Sequence, residues 1–527
     1  MRCIGLLGLA VLLGIGLLLS KNRRRIRLRV ITWGLALQVL FAVTILSRNP
    51  LSWAGMYAFL VLILLYVFTD TALTPGQWRK AAGPAAAIAL GGAGAVAMAY
   101  FLDRMQVALP LAGALLLAAL LLQVAKRPRY VRYASGLTLT LALGMLINRG
   151  IYGQTVMQVA ADQVAKFLKL SDLGATFLFG NLAKAEFFDQ FGVQFAFSVL
   201  PTIIFFSAVM SILYYLGVMQ AVVVMMARFM RWTMGTSGAE TLSCSANIFV
   251  GQTEAPLLIR PFLDRMTISE LHAVMVGGFA TIAGGVMAGY IRMGINPSYL
   301  ITASVMSAPA ALVMAKIFLP ETEQSVTAGD VRLPPIAKGD NLLDAAARGV
   351  TDGLKLAANV GAMLIAFIAL IGLVDVILAF GDKIIDGRLL GGAYSVEHQE
   401  FRGLFPGSLR ALFGAVFAPL AFVMGVPWKE AAAVGNLLGI KVAANEFVAY
   451  AELSKHVASS DLSPRAMLIA TYALCGFANF SSIGIQLGGI GALAPNRRPE
   501  LARVGLRAMV AGALASWMTA TIAGLLF

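Results

Sequence analysis

Two short polar strings interrupt otherwise apolar sequence, and each carries a carboxylate. They are Gly251-Gln252-Thr253-Glu254-Ala255-Pro256 and Ala444-Asn445-Glu446-Phe447-Val448-Ala449. A lone acidic side chain in hydrocarbon costs about 2.5–3.5 kcal/mol on insertion scales, so such groups are paired, wetted, or both. Two strings in comparable settings predict one polar cavity built from two similar units. Asn247 lies one helical turn before Gly251 and can share its face. Gly251 and Pro256 bracket the first string and predict a break in the helix. A break frees carbonyl oxygens that can hold a small hard cation and exposes helix N-termini that attract polar solute groups. The second unit supplies Asn445 and Glu446, and beyond it Asn479, Ser481, Ser482 and Gly484. Asn479 and Ser482, three apart, share a helical face.

The solute class follows from the donors and acceptors present. Gln252, Thr253, Glu254, Glu446, Asn479 and Ser482 include no Arg or Lys, whereas anionic solutes call for arginine forks. Carboxylates accept from hydroxyls, and amides both donate and accept. The set fits a neutral, hydroxyl-rich, amide-bearing solute, with a cationic solute the next best fit. Phe279, Phe477 and Phe480 could wall the cavity, although such residues more often pack a core. Taken alone, Asn247 reads as an interhelical hydrogen bonder, and Thr281 and Ser482 read as back-bonding to their own helices. Glu240 and Glu430 read as structural residues of first helical turns.

The elements that must hold these residues are membrane helices. Of 527 residues, 59% are hydrophobic and 13% charged, with mean hydropathy +0.81. A soluble protein carries about 25% charged residues. The pattern predicts an all-α polytopic membrane protein with the lipid bilayer as a partner. Twelve spans are expected, near 4–20, 31–47, 53–69, 84–102, 107–125, 134–148, 194–217, 268–291, 297–319, 353–380, 465–494 and 502–526. The net charge of +15 gathers in short loops beside the spans, such as Lys21 to Arg29, Lys126 to Arg132 and Arg497 to Arg507. That is an insertion signal and not a nucleic-acid patch. It predicts cytoplasmic loops at 21–30, 76–83, 126–132, 218–235, 320–350 and 495–500, with both termini outside. The basic cluster follows the first apolar run, which predicts a retained span and not a cleaved signal. The three cysteines and three histidines form no metal spacing, catalytic triad or disulfide framework.

Three stretches do not fit simple spans. Residues 151–193 predict an interfacial amphipathic helix. Residues 236–265 and 429–458 are too polar for lipid-facing spans and predict re-entrant helical hairpins entering from opposite sides. Gly278-Phe279-Ala280-Thr281-Ile282 follows the first hairpin and Gly476-Phe477-Ala478-Asn479-Phe480 the second. The shared order of hairpin, string and broken span predicts inverted repeats, an architecture of secondary transporters. The expected divisions are 1–48, first core spans; 49–150, an inserted four-span segment; and 151–235, interfacial helices with a scaffold span. They continue as 236–319, the first repeat; 320–352, a cytoplasmic linker; 353–428, a scaffold span with an interfacial segment; and 429–527, the second repeat.

GQTEAPLLIRPFL, NEFVAY and CGFANFSSIG, together with FFSAVMSILYYLGVMQ at 205–220, resemble the concentrative nucleoside transporter family over residues 1–48 and about 165–527. The resemblance implies a cation-coupled nucleoside symporter of the bacterial inner membrane. It implies a homotrimer whose protomers pair a scaffold with an elevator-type transport domain. By motif, Gln252, Thr253 and Glu254 would contact the nucleobase, with Val286 lining that side. Glu446, Asn479 and Ser482 would bind ribose hydroxyls, with Phe477 beside the sugar. The family's sodium site maps to the Asn247 side chain, the Val250 carbonyl, the Thr281 hydroxyl and the Ile282 carbonyl, with no organic cofactor. Members often carry Ser where Thr281 stands, and the hydroxyl ligand is retained. Proton coupling through Glu254 or Glu446 is the alternative. A passive channel, which would not accumulate solute, and a membrane-embedded hydrolase, which would release product, are the readings from other classes. The extra spans within 49–150 depart from the family pattern.

Overall fold

Apolar runs of membrane length fold as helices because only internal hydrogen bonding satisfies the backbone in hydrocarbon. The computed structural model describes residues 2–47, 50–68, 78–124, 128–184, 194–327, 340–395, 400–401, 403 and 405–527. Helices α1 (Arg2–Leu18), α2 (Leu28–Leu46), α3 (Pro50–Phe68), α4 (Trp78–Arg104), α5 (Ala108–Val124) and α6 (Pro128–Asn148) cover the first six predicted spans. Six described helices elsewhere and among them are long and apolar enough to cross a membrane on composition alone. Lys126, Arg127 and linker residues 328–339 lie outside the described residues.

Residues 151–184 form two helices, α7 (Gly153–Leu168) and α8 (Ser171–Phe179), where one interfacial helix was expected. Span α9 (Leu200–Tyr215) follows. Residues 218–235, expected as a loop, are helix α10 (Val218–Met234) between Gly217 and Gly235, both at positive φ. Its basic residues dominate the charge pattern. Yet Met219, Val223, Ala227 and Met230 recur at helical spacing and bury one face.

The first hairpin starts with α11 (Gly238–Ala246), where Ser237 and Glu240 form a capping box. Its return limb, Ala255–Arg265, is a 3-10 segment containing Pro261, whose missing N–H is incompatible with a regular α-helix. The next span is broken into α12 (Ile268–Ala280) and α13 (Gly284–Arg292), with Thr281 extended between them. Helix α14 (Pro297–Phe318) is nearly all buried, whereas the 41-residue α15 (Leu342–Asp382) is mostly exposed. A two-residue pairing, Tyr394–Ser395 with Glu400–Phe401, is the sheet among the described residues.

Helix α16 (Leu409–Val423) turns by 117° into α17 (Trp428–Ala443). Helix α17 and α18 (Glu446–Ser459) form the second hairpin, with Asn445 capping α18 by accepting from Val448 N. The following span breaks between α19 (Pro464–Leu474) and α20 (Phe480–Leu493), and α21 (Arg498–Leu526) closes the fold. Helices α14 and α21 are the buried centre, packed by α2, α12 and α19. Helices α3 to α6 form a side layer, docked through Phe59 and Tyr66 onto Phe41, Phe229 and Trp232.

Hydrogen bonds fix which ends lie together. Arg29 donates to the Trp232 and Thr233 carbonyls, Lys21 N to Phe318 O, and Arg497 to Leu263 O and Asp264 O. The base of the first hairpin therefore lies at the end that carries the basic turns. The second hairpin's base lies at the other end, where Ser463 donates to Glu430 and Arg465 to Gly425 O. Gly5 abuts Leu525 near the two termini. The chain is an all-α polytopic membrane protein with two oppositely inserted hairpins.

Candidate functional site

Asn479 organises the centre. It is the N-cap of α20, with Oδ1 accepting from Ser482 N at 2.9 Å and from Ser481 Oγ at 2.8 Å. This fixes the side chain, so its Nδ2 donates to Glu446 Oε2 at 3.0 Å, at the tip of the second hairpin. The other carboxylate oxygen, Oε1, accepts from Tyr290 Oη on α13 at 3.1 Å. Ser482 Oγ accepts from Gln252 Nε2 at 3.2 Å, at the tip of the first hairpin. Glu446, Asn479, Ser482 and Gln252 thus form one continuous polar chain between the hairpins. Glu446, Asn479, Ser482 and Gln252 are buried, Thr253 is half-buried and Glu254 is exposed. Lys441 on α17, also buried, donates Nζ to Ala473 O at 2.8 Å and acts electrostatically on Glu446.

The two helix breaks touch. Phe477 N donates to Thr281 O at 3.2 Å, and a Cβ on Gly476 would sit 2.7 Å from Phe279 O. Beside this crossing, Asn247 Nδ2 donates to Ser243 O while Asn247 Oδ1 is buried without a partner among the described residues. Thr281 Oγ1 donates to Gly277 O at 2.9 Å, which leaves its lone pairs available. No donor among the described residues reaches the Val250 or Ile282 carbonyl. Oxygens from a side-chain amide, a hydroxyl and unwound carbonyls suit a small hard cation. An orphaned buried oxygen is what such a partner would satisfy.

Comparisons with known proteins identify the family. Three family models match: Na+ dependent nucleoside transporter N-terminus at residues 7–63 and 111–182, Nucleoside recognition at 196–296, and Na+ dependent nucleoside transporter C-terminus at 299–524. An uncharacterized transporter of Haemophilus influenzae is 46% identical over 377 residues, covering 71% of this chain and 86% of that protein. The chain belongs to the concentrative nucleoside transporter family. Sodium/nucleoside cotransporter 1 of Rattus norvegicus is 43% identical over 434 residues, which is 79% of this chain and 63% of the rat protein. CNTnw in an inward-facing substrate-bound state superposes with a TM-score of 0.69 at 35% identity, covering 100% of this chain and 98% of CNTnw. An outward-facing CNTnw variant gives 0.72 at 34%, covering 99% and 98%. The concentrative nucleoside transporter fold pairs a scaffold with an elevator-type transport domain.

Among the residues singled out from sequence, Gln252, Glu446, Asn479 and Ser482 join the polar chain directly. Thr253 packs its Cγ2 where a Cβ of Gly489 would fall, 2.6 Å away. Phe477 enters through its backbone, and Val286 is buried on the first turn of α13. Phe279 is wholly buried, whereas Phe480 is exposed. Glu240 pairs with Lys316 at 2.6 Å at the hairpin base. Tyr290, Gln486 and Lys441 were not singled out. Tyr290 follows Val286, and Gln486 follows Ser482, by one helical turn; that spacing was the available signal.

Proposed function

We propose that this protein is a sodium-coupled symporter that carries nucleosides into the bacterial cell across the inner membrane. The continuous chain from Gln252 on one hairpin to Glu446 on the other carries the reading. It puts amide and hydroxyl groups that suit a base beside a carboxylate that suits ribose hydroxyls, and the chain of contacts itself contains no Arg or Lys to fork an anionic solute, Lys441 donating instead to Ala473 O. Gln252, Thr253, Glu254 and Val286 are assigned to the base, and Glu446, Asn479, Ser482 and Phe477 to the sugar. Sodium is assigned to the Asn247 side chain, the Val250 and Ile282 carbonyls and the Thr281 hydroxyl. The cation would occupy ligands on both sides of the first break, and so favour the arrangement that binds solute. Such coupling is reciprocal: sodium raises nucleoside affinity by the factor that nucleoside raises sodium affinity.

The basic turns lie on the cytoplasmic side in this reading, with both termini outside. The working unit is a homotrimer, for which the exposed apolar length of α15 offers contact area. Residues 236–319 and 429–527 form the moving repeats. The test is uptake of radiolabelled uridine and adenosine into proteoliposomes, with sodium and proton gradients imposed separately. Concentrative uptake is expected with sodium alone. Uptake indifferent to replacing sodium by choline, yet lost when a proton gradient collapses, would transfer the coupling to protons. Equilibration without accumulation would identify a channel.

A further inference from the structure

We infer that Gln486 fixes the direction of the Gln252 amide, so that the site prefers bases offering a carbonyl beside an N–H to bases offering an amino group beside a bare ring nitrogen. The inference rests on the nucleoside reading above and names which nucleosides fit best.

Gln486 is wholly buried on α20. Its Nε2 lies 3.2 Å from Met275 O and 3.0 Å from Gln252 Oε1. The nitrogen and oxygen of an amide are assigned from their partners. Here the partners leave one assignment. A backbone carbonyl only accepts, so the end of Gln486 facing Met275 O is the NH2 end. The same NH2 group faces Gln252, so the atom of Gln252 that meets it is the oxygen. The Gln252 NH2 must therefore point the other way, towards Ser482 Oγ at 3.2 Å. Turning Gln486 round would set oxygen against oxygen at Met275. Gln486 Oε1 has no partner among the described residues, the Nε2 end being the one that meets Met275 O and Gln252.

The packing is built around this pair. A Cβ on Gly278 would stand 2.7 Å from Gln486 Nε2 and 2.9 Å from Gln252 Cβ, so α12 is bare where the two amides meet. One Gln252 amide hydrogen serves Ser482, and the second remains for a ligand. Glu254, two residues further along the same hairpin tip and assigned above to the base, supplies a carboxylate acceptor. A donor and an acceptor offered from one tip complement a base edge with a carbonyl beside an N–H, as in uridine and inosine. Cytidine and adenosine would set an amino group against the Gln252 NH2. A site built to hydrogen-bond one group discriminates against an analogue that leaves it unmatched. Gln486 is a positioning residue, since it acts through Gln252.

The test is calorimetric binding to the purified full-length protein in sodium, using uridine against cytidine and inosine against adenosine. Each pair differs only at this edge, so purine or pyrimidine size cancels. The wild-type protein is expected to bind the first member of each pair about tenfold more tightly, the effect of one mismatched hydrogen bond. Gln486→Met removes the donor that holds Gln252 Oε1, and both ratios are expected to fall to within about twofold of unity. Gln486→Glu presents an acceptor to Gln252, draws its NH2 inward and is expected to reverse the preference. General loosening would weaken both members of a pair alike and leave the ratios unmoved. Equal wild-type affinities within both pairs overturn the inference, as does a Gln486→Met or Gln486→Glu protein that still binds and keeps the wild-type ratios; nucleoside transport stands in either case. Binding of none of the four nucleosides overturns the carrier reading together with the inference.

Discussion

Glu446 has both carboxylate oxygens occupied before any solute arrives, one by Tyr290 and one by Asn479. A carboxylate held by donors on two other elements is aimed and not free to rotate. Glu446→Gln replaces one acceptor with an NH2 that must face the Asn479 NH2 or the Tyr290 hydroxyl. Hydrogen bonds to charged groups are worth about 1.5–3 kcal/mol, so kcat/KM for uridine uptake should drop by about 10–100-fold. Tyr290→Phe leaves the carboxylate in place and should cost less in the same assay. Asn247→Leu removes the orphaned Oδ1 and should raise the sodium concentration for half-maximal uptake about tenfold or more, on the scale of a lost hard-cation ligand. At saturating sodium its nucleoside KM should approach the wild-type value. Glu446, Asn479 and Gln252 were legible in sequence because polar groups stand out against apolar runs. Gln486 and Tyr290 were not, because each acquires its role from a residue on another element.

The hairpins and breaks were legible at the scale of elements because Gly and Pro announce where a helix cannot continue. Gly251, Pro256 and Pro261 mark the first hairpin, and Gly476 marks the second break. What the chain order does not state is that the breaks cross. Gly476 lies against the backbone of Phe279 and Ala280, and a Cβ there would also meet Ser516 Oγ at 2.7 Å. The Phe279 oxygen and Ala280 carbon belong to the backbone, so they cannot step aside as a side chain does. Gly476→Ala should therefore destabilise the folded protein by about 1–3 kcal/mol, the usual cost of overpacking. A lowered midpoint of thermal unfolding in detergent would register it, and an unchanged midpoint would show that the breaks do not meet so closely. Helix α10 shows the converse failure. Its charges suggested a loop, although its buried face was written at helical spacing.

At the scale of the molecule, one tie joins α13 to α8, parts that the proposed elevator motion would move apart. Helix α8 is fastened to α9 by the Ser171 and Thr202 hydroxyls at 2.8 Å. Arg292, at the end of α13, reaches Asp172 on α8 with its two terminal guanidinium nitrogens, at 2.7 and 3.3 Å. Helix α13 follows the first break, so the proposed elevator shift of α13 relative to α9 would open this fork. The pair is half-exposed, with side-chain exposures of 16% for Arg292 and 38% for Asp172. Exposed pairs contribute about 0.2–1 kcal/mol, so the clasp biases the equilibrium and does not lock it. Asp172→Asn should shift the ratio of the two end states by up to about fivefold, the population change that 1 kcal/mol produces. Single-molecule distance measurements between labels on α8 and α13 would read that shift. A cysteine pair at positions 172 and 292, joined by a reducible bis-methanethiosulfonate cross-linker that spans the length of the Arg–Asp fork, makes the sharper test. Cross-linking should arrest uptake and reduction should restore it, while nucleoside binding persists in the trapped form. Full uptake by the cross-linked protein would mean that α13 travels with α8, and the moving body would have to be drawn elsewhere.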